Sequence, residues 1–336
     1  MSQARSVKDK KKPASLERLE KMLLAYGKAR RVSNDEMLGS GDNHLIRDHW
    51  APLMRSLGGY TEEELEGRSH EAKRLMRESG VTYNIYNDPE GRSRVWQLDP
   101  VPMLLEQDDW QEIEQGLVQR ARLMNLIFSD IYGDQQLIKD GLLPAELVFS
   151  HRGYHRSCKG LYDDDAQPLF NYSADLARGP DGRMWVFFDR TQAPSGAGYA
   201  LETRIAMSRV MAPEFRENKV RRLSHYFRAM RASLANLPAS RRGEPRIVLM
   251  TPGPLNETYF EHAYLSAYLG YTLVQGEDLT VRDGKVWLKS IDGLRRVDVM
   301  YDGLMMRFVI RWSCVRIPIL VCLAWCRQCA KVMSPW

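Results

Sequence analysis

One stretch limits the architecture more than any other. Arg246 to Met250 is a short apolar run that enters Thr251-Pro252-Gly253-Pro254. A helical segment follows from about Glu257 to Leu269, and Tyr271 to Gln275 is apolar again. Strand, Gly/Pro turn, helix and strand in that order form a β–turn–α–β unit. Such a unit brings a turn and a helix N-terminus to the strand's C-terminal end, where open α/β sheets place ligands and free N–H groups favour anions. An ordinary crossover has the same pattern, so the unit bears on the fold before it bears on a site. Leu279 to Val281 and Val286 to Leu288 flank Asp283-Gly284 and predict a hairpin, with Val297 to Tyr301 as a last strand of the same region.

Upstream, helix and strand signals alternate. Ile46 to Leu57 and Glu62 to Ser79 read as amphipathic helices, the second opened by Thr61 and Glu64 at capping-box spacing. Val81 to Tyr86 predicts a strand, Asn87 to Gly91 a turn, and Val95 to Leu98 the hairpin partner. Trp110, Ile113, Leu117, Ala121, Met124 and Phe128 recur at helical steps and predict a long helix from Asp108 to Ile131. Leu137 to Leu142 predicts a short helix, and Pro144 to Ser150 a loop or strand. Leu169 to Leu176 and Met184 to Phe188 are strand candidates joined by a Gly179-Pro180-Asp181-Gly182 turn. Helical material begins at Ile205, and Lys219 to Leu234 reads as a basic amphipathic helix. The expected class is α+β.

Composition matters here because it is unevenly placed. The 336 residues carry a net charge of +5 and five cysteines. Residues 304–336 hold Arg307, Arg311, Arg316, Arg327 and Lys331 and no acid, and the remaining chain has 43 basic and 43 acidic residues. Cys314, Cys322, Cys326 and Cys329 lie in the same tail, and only Cys158 lies outside it. The excess charge is therefore no nucleic-acid footprint of the body. Cys326 and Cys329 have zinc-ligand spacing, but Cys314 and Cys322 are badly spaced and no His is near. The longest uncharged stretch of the tail, Ile317 to Cys326, is ten residues, against about 20 for a membrane helix. With no export signal in the first residues, a cytoplasmic location with reduced thiols is expected. The lysine-rich start is expected to be a solvated, mobile leader.

The segment richest in chemistry runs from Phe187 to Arg204. An apolar strand delivers Asp189 and Arg190 at its end. The small residues Pro194-Ser195-Gly196-Ala197-Gly198 leave backbone N–H groups open to an anion, and Glu202 and Arg204 follow. Two carboxylates and two guanidinium groups around a glycine loop suit a nucleotide and its magnesium, since magnesium takes oxygen ligands and Arg binds phosphate in bidentate fashion. Structural ion pairs around a turn have the same pattern, and the loop is neither a Walker A loop nor a dinucleotide fingerprint. Asp175 and Arg178 read as an ion pair or a substrate contact. His262 reads as a structural helix residue or one facing the cleft. His151 to Arg156 reads as a solvated loop or a stacking surface for nucleic acid. Cys158 has no His–carboxylate relay and reads as structural.

Taken together, these stretches resemble the bacterial circularly permuted ATP-grasp type 2 family. The resemblance spans roughly residues 34–301. It is carried by Asp35-Glu36-Met37-Leu38, Gly80 to Tyr86, Ile131 to Gln135, Pro144 to Val148, Asp189 to Arg204, Thr251-Pro252-Gly253, Tyr259-Phe260-Glu261-His262 and Gly293 to Tyr301. It implies a permuted ATP-grasp-like α+β fold, incomplete at the C-terminus. Four regions are expected: a leader at 1–33, a helix-rich part at 34–150, an α/β part with the glycine loop at 151–301, and a non-native tail at 302–336. The implied activity is an ATP-dependent carboxylate–amine ligase acting through an acyl phosphate, with ATP and magnesium as cofactors. Its substrates are small-molecule or peptide carboxylates and amines. No membrane or specific nucleic acid is expected, and a helical protein is the expected partner type. By position, Asp189 and Glu202 are the metal ligands and Arg190 and Arg204 the catalytic arginines. Ser195, Gly196 and Gly198 are the cofactor loop, and Asp175 and Arg178 the substrate contacts. The family reads Asn where this chain has Thr203, and a hydroxyl reaches less far toward a metal than an amide carbonyl. Impaired catalysis is expected. The alternative is a non-catalytic remnant that binds nucleotide, nucleic acid or a partner.

After Tyr301 the family continues with a stretch like Asp-Asp-x-Phe-Cys-Asp-Pro, where this chain has Asp302-Gly303-Leu304-Met305-Met306-Arg307. Met and Trp have single codons, so part of the gene can be written back. Reading from the third base of the Leu304 codon gives Asp-Asp-Ala. Permitted choices at degenerate bases then give Phe-Cys-Asp-Pro-Leu-Glu-Leu, the family's own continuation. The tail from about 302 onward is therefore expected to be a shifted reading frame. Sequencing the gene through codon 302 checks this: a gene without a family-like frame one base away ends the idea.

Overall fold

Ile247, Val248, Leu249 and Met250 are apolar and all four are buried, which requires cover on both faces of the strand they form. In the computed structural model that cover is a helical layer on one side and an antiparallel sheet on the other. Residues 14–29, 34–40, 46–84, 93–154, 156–160, 168–192, 194–237, 244–283 and 285–302 are described. In chain order they form α1 (Ala14–Ala29), β1 (Asn34–Asp35), β2 (Gly39–Ser40), α2 (Ala51–Gly59), α3 (Glu62–Glu78), β3 (Thr82–Asn84), β4 (Ser93–Val95) and α4 (Gln107–Tyr132). Next come α5 (Gln136–Lys139), α6 (Ala145–Phe149), β5 (Ser173–Arg178), β6 (Met184–Arg190), α7 (Ala197–Val210), α8 (Ala212–Glu217) and α9 (Ser224–Ala235). The last elements are β7 (Ile247–Met250), α10 (Tyr259–Leu269), β8 (Thr272–Val274), β9 (Leu279–Arg282), β10 (Lys285–Ser290), β11 (Gly293–Arg296) and β12 (Val299–Asp302).

β7 is the middle strand of a parallel sheet in the order β12-β7-β8, with Val299 opposite Ile247 and Met250 opposite Val274. One face, Ile247, Leu249 and Val299, packs on Leu201 of α7, Phe227, Met230 and Leu234 of α9, and Leu265 and Leu269 of α10. The other face, Val248, Met250 and Val274, packs on Val286 and Val297 beside the sheet β11-β10-β9. The β–turn–α–β unit is present as expected. Val299 to Asp302 joins β7 in the parallel sheet, whereas the hairpin strands β9 and β10 take β11 as their third strand. β11 was not foreseen: Leu294, Arg295 and Arg296 lack a clean apolar alternation, and pairing with β10 makes the strand.

α7 is the spine. It buries Tyr199, Leu201, Glu202, Ala206, Met207 and Val210, a pattern that leaves little solvent face. Its far end, with Met207 and Val210, joins Leu19, Trp50, Leu53, Met54, Leu57 and Ala72 from the N-terminal helices. Leu19 belongs to α1, so residues 14–29 form a packed helix where a mobile leader was expected. Thr61 and Glu64 make the expected capping box, each side chain accepting the other's backbone N–H. α7 starts at Ala197, not near Ile205, and takes Gly198 into its first turn. The region of Pro144 to Ser150 contains the short helix α6 rather than a strand. α8, with Pro213 in its first turn, was unforeseen, and α9 starts at Ser224. The expected turn at Asn87 to Gly91 and the tail beyond Asp302 lie outside the described residues.

β5 and β6 form a two-stranded antiparallel ribbon with a register shift between Asp175 and Leu176. Trp185, Phe187 and Phe188 on it are 56%, 64% and 67% exposed. Leu123 and Leu126 of α4 are exposed as well. Among the described residues no helix is long and apolar enough to cross a membrane.

Candidate functional site

The expected site residues come from the ends of β5, β6 and α7. Gly196 is the N-cap of α7 at φ +116, a conformation that L side chains rarely adopt. Its N–H donates to both carboxylate oxygens of Glu261 at 2.8 Å, and the Gly198 N–H donates to Glu261 Oε1 at 2.8 Å. Glu261 lies in the first turn of α10 and is 3% exposed. Burial pushes its carboxyl up, and the backbone donors of Gly198, Gly196 and Ala197 oppose that. The N–H groups read as a phosphate cradle thus hold a carboxylate of the same chain. Ser195 is exposed beside them.

Asp189 is the last residue but one of β6, with its carboxylate turned to Arg120 of α4. Arg120 donates to it through Nε, at 3.0 Å, and through Nη2, and the Tyr172 hydroxyl donates to Oδ1. These bonds, Arg120's first, hold the Asp189 carboxyl below the usual range. Glu202 is one turn into α7 and buried; it accepts from Ser79 Oγ at 2.7 Å and from the Tyr264 hydroxyl at 2.9 Å. Burial, with Glu202's hydrogen bond second, pushes the Tyr264 phenol up, so it remains a donor. Arg190 pairs with Asp175 across the ribbon at 2.6 Å, and both are well exposed. Arg178 is nearly buried; it donates to Glu36 at 2.5 Å, to Asp109 at 2.8 Å and to the Gly182 carbonyl at 2.8 Å.

Arg204 differs from the others. It is half-buried on α7, its Nη1 donates to the Arg221 carbonyl at 2.5 Å, and among the described residues no carboxylate pairs with it. Burial alone acts on it and lowers its pKa. A partly buried guanidinium whose described partner is a neutral carbonyl keeps its charge without a carboxylate to offset it.

Magnesium takes one or two carboxylates together with waters and substrate phosphates in near-octahedral array, so the test falls on whether Asp189 and Glu202 are available to it. Among the described residues no three His, Cys, Asp or Glu side chains converge on one point. Asp189 and Glu202 are each engaged within the chain, the first by a cation and the second by two hydroxyls. As arranged, these residues do not fit a magnesium site.

His262 sits between two threonines, with Thr251 Oγ1 3.0 Å from Nδ1 and Thr258 Oγ1 3.4 Å from Nε2. It is buried and ties the first turn of α10 to the turn after β7. Tyr154 of the His151–Arg156 loop stacks on Tyr132 at 5.3 Å, so this ring is already covered by a side chain of the chain itself. Cys158 is buried. Sequence reasoning missed Arg120, Tyr172, Ser79 and Tyr264, because each meets its partner through the fold. Glu261 stood in a quoted motif, but its spacing from Gly196 gives no local signal.

Residues 102–310 match the family described as circularly permuted ATP-grasp type 2. The match runs past Tyr301, where the motifs quoted above end. The uncharacterized protein Rv2567 of Mycobacterium tuberculosis is 34% identical over 267 residues, covering 77% of this chain and 30% of that protein. The uncharacterized protein sll0335 of Synechocystis sp. is 33% identical over 258 residues, covering 77% of this chain and 54% of that one. The chain therefore spans about half or less of the length of these relatives. The structure of a glutathione synthetase like-effector from Globodera pallida aligns with a TM-score of 0.45 at 15% identity, over 81% of this chain and 64% of that one. With more than half of its residues matched and the mixed α+β architecture in agreement, the chain belongs to the circularly permuted ATP-grasp type 2 family.

Proposed function

We propose that this chain carries the anion-binding part of an ATP-dependent carboxylate–amine ligase. Membership of the family supports ATP-grasp, ligase-like chemistry in general. One observation supports placing the anion: Arg204 is half-buried on the spine helix and meets no carboxylate among the described residues. In the proposed reaction a substrate carboxylate takes the γ-phosphoryl group of ATP and releases ADP. An amine then attacks the acyl carbon, phosphate leaves and the amine loses a proton. Both steps pass through concentrated negative charge, and a fixed guanidinium lowers that charge's energy. Arg190 is the second guanidinium this reading uses. Its pair with Asp175 is exposed and screened by water, so an incoming phosphate oxygen can displace the carboxylate at small cost.

A second reading is non-catalytic nucleotide binding. It is favoured by the way Asp189, Glu202 and the glycine N–H groups are already satisfied. Purified protein mixed with ATP, magnesium and a panel of carboxylates and amines separates the two. ADP release that depends on both co-substrates supports the ligase. Saturable ATP binding without ADP release supports the second reading, and absence of any ATP binding sinks both.

A further inference from the structure

We infer that Glu261 is the resident anion of the loop at the start of α7, so that the Gly196–Gly198 turn is a clasp between two helices and not a phosphate cradle. The inference does not depend on the ligase reading. It starts from what each glycine is needed for. At φ +116, Gly196 meets a backbone requirement that has nothing to do with a ligand. Gly198 meets a packing requirement: a Cβ there would lie 3.0 Å from Glu261 Cγ and 3.5 Å from Glu261 Cα. So α10 approaches α7 closely at this point, and the sequence's room for phosphate is room for α10.

The electrostatics agree. A lone carboxylate that is 3% exposed is costly to bury. Glu261 is offset by backbone donors at the positive end of a 14-residue helix, whose first N–H groups otherwise lack acceptors. On the other side of α10's first turn, His262 is fixed by Thr251 and Thr258. The clasp therefore locks α7 to the turn that follows β7. α7 carries Glu202 and Arg204 one and two turns further on, which makes Glu261 a positioning residue for a guanidinium that meets no carboxylate among the described residues.

Chemical rescue tests this on the full chain. Thermal unfolding of the wild type, Glu261→Ala and Glu261→Gln is compared in sodium formate and in sodium chloride at equal ionic strength. The expected result is that E261A melts well below the wild type and regains part of the loss in formate, while the wild type melts alike in both salts. E261Q should lie between them and ignore formate, since it keeps an acceptor without the charge. Equal melting of E261A and wild type, or an equal formate shift in both, would overturn the assignment. If E261A does not fold, E261Q decides: a melting point equal to the wild type's removes the need for an anion. Tripolyphosphate without magnesium supplies a further arm. It should stabilise E261A and leave the wild type unchanged, whereas a wild-type shift that Gly198→Ala abolishes would show the loop open to phosphate and refute the clasp. The ligase reading is scored separately by ATP binding to the wild type.

Discussion

Arg204→Ala weakens binding of ATP by about 10- to 100-fold, the consequence of losing hydrogen bonds to a charged ligand at about 1.5–3 kcal/mol. The expectation follows from where the guanidinium sits. It is half-buried, its one described acceptor is the neutral Arg221 carbonyl, and burial alone shifts it. An anion that arrives there gains a partner already partly desolvated and carried on a helix, so less ordering remains to oppose binding. The same geometry predicts the stability effect. A half-buried cation that meets no carboxylate among the described residues is a burden on the free protein, so R204A should unfold at the wild-type denaturant concentration or above it. Arg204→Lys keeps the charge and loses the planar fork, and should fall between the two in affinity. Isothermal titration with ATP, beside urea unfolding of each variant, reads both quantities. Wild-type affinity in a folded R204A would remove Arg204 from the site and, with it, the observation that places the anion.

What the sequence made legible depended on how far apart the partners stand. Thr61 and Glu64 are three residues apart and form the capping box that their spacing announces. β7, α10 and β8 follow from apolar runs and a Gly/Pro turn, because each is defined by its own neighbours. Placement along the chain was legible too: Asp189 and Arg190 lie at the end of β6, the glycines at the start of α7, and Glu202 and Arg204 within it. Their partners were not. Asp189 meets Arg120 from α4, Glu202 meets Ser79 and Tyr264 from two other helices' ends and faces, and Gly196 meets Glu261 from α10. Each partner is brought in by tertiary packing over dozens of residues, so a pattern that reads equally as ion pairs or as a ligand site takes its meaning from contacts the local sequence does not encode. α1 shows the same effect in the core: a charged stretch becomes structure because Leu19 and Leu23 pack on the N-terminal helices.

Arg178→Met is expected to cost about 3 kcal/mol of stability, the scale for removing one partner of a buried ion pair. The Arg178 side chain is 9% exposed and bridges Glu36, near the start of the described body, to Asp109 at the head of α4; it also caps the turn between β5 and β6 through the Gly182 carbonyl. Met fills much of the same volume, so the loss comes from the carboxylates and the carbonyl left behind. Arg47 lies 3.7 Å from Asp109 and can hold that carboxylate, whereas Glu36 has no second cation among the described ion pairs. The larger part of the cost therefore belongs to Glu36, and adding Glu36→Gln to R178M should recover a measurable share of it, a coupling that a double-mutant cycle reads directly. Urea unfolding gives the values, with the midpoint falling and the slope unchanged if the variant remains native-like. ATP affinity supplies the discriminating measurement. A guanidinium spent on three protein acceptors has no donor to spare for substrate, so folded R178M should bind ATP and the substrate carboxylate as the wild type does. Loss of carboxylate binding at wild-type stability would return Arg178 to the substrate contacts that its place in the sequence first suggested.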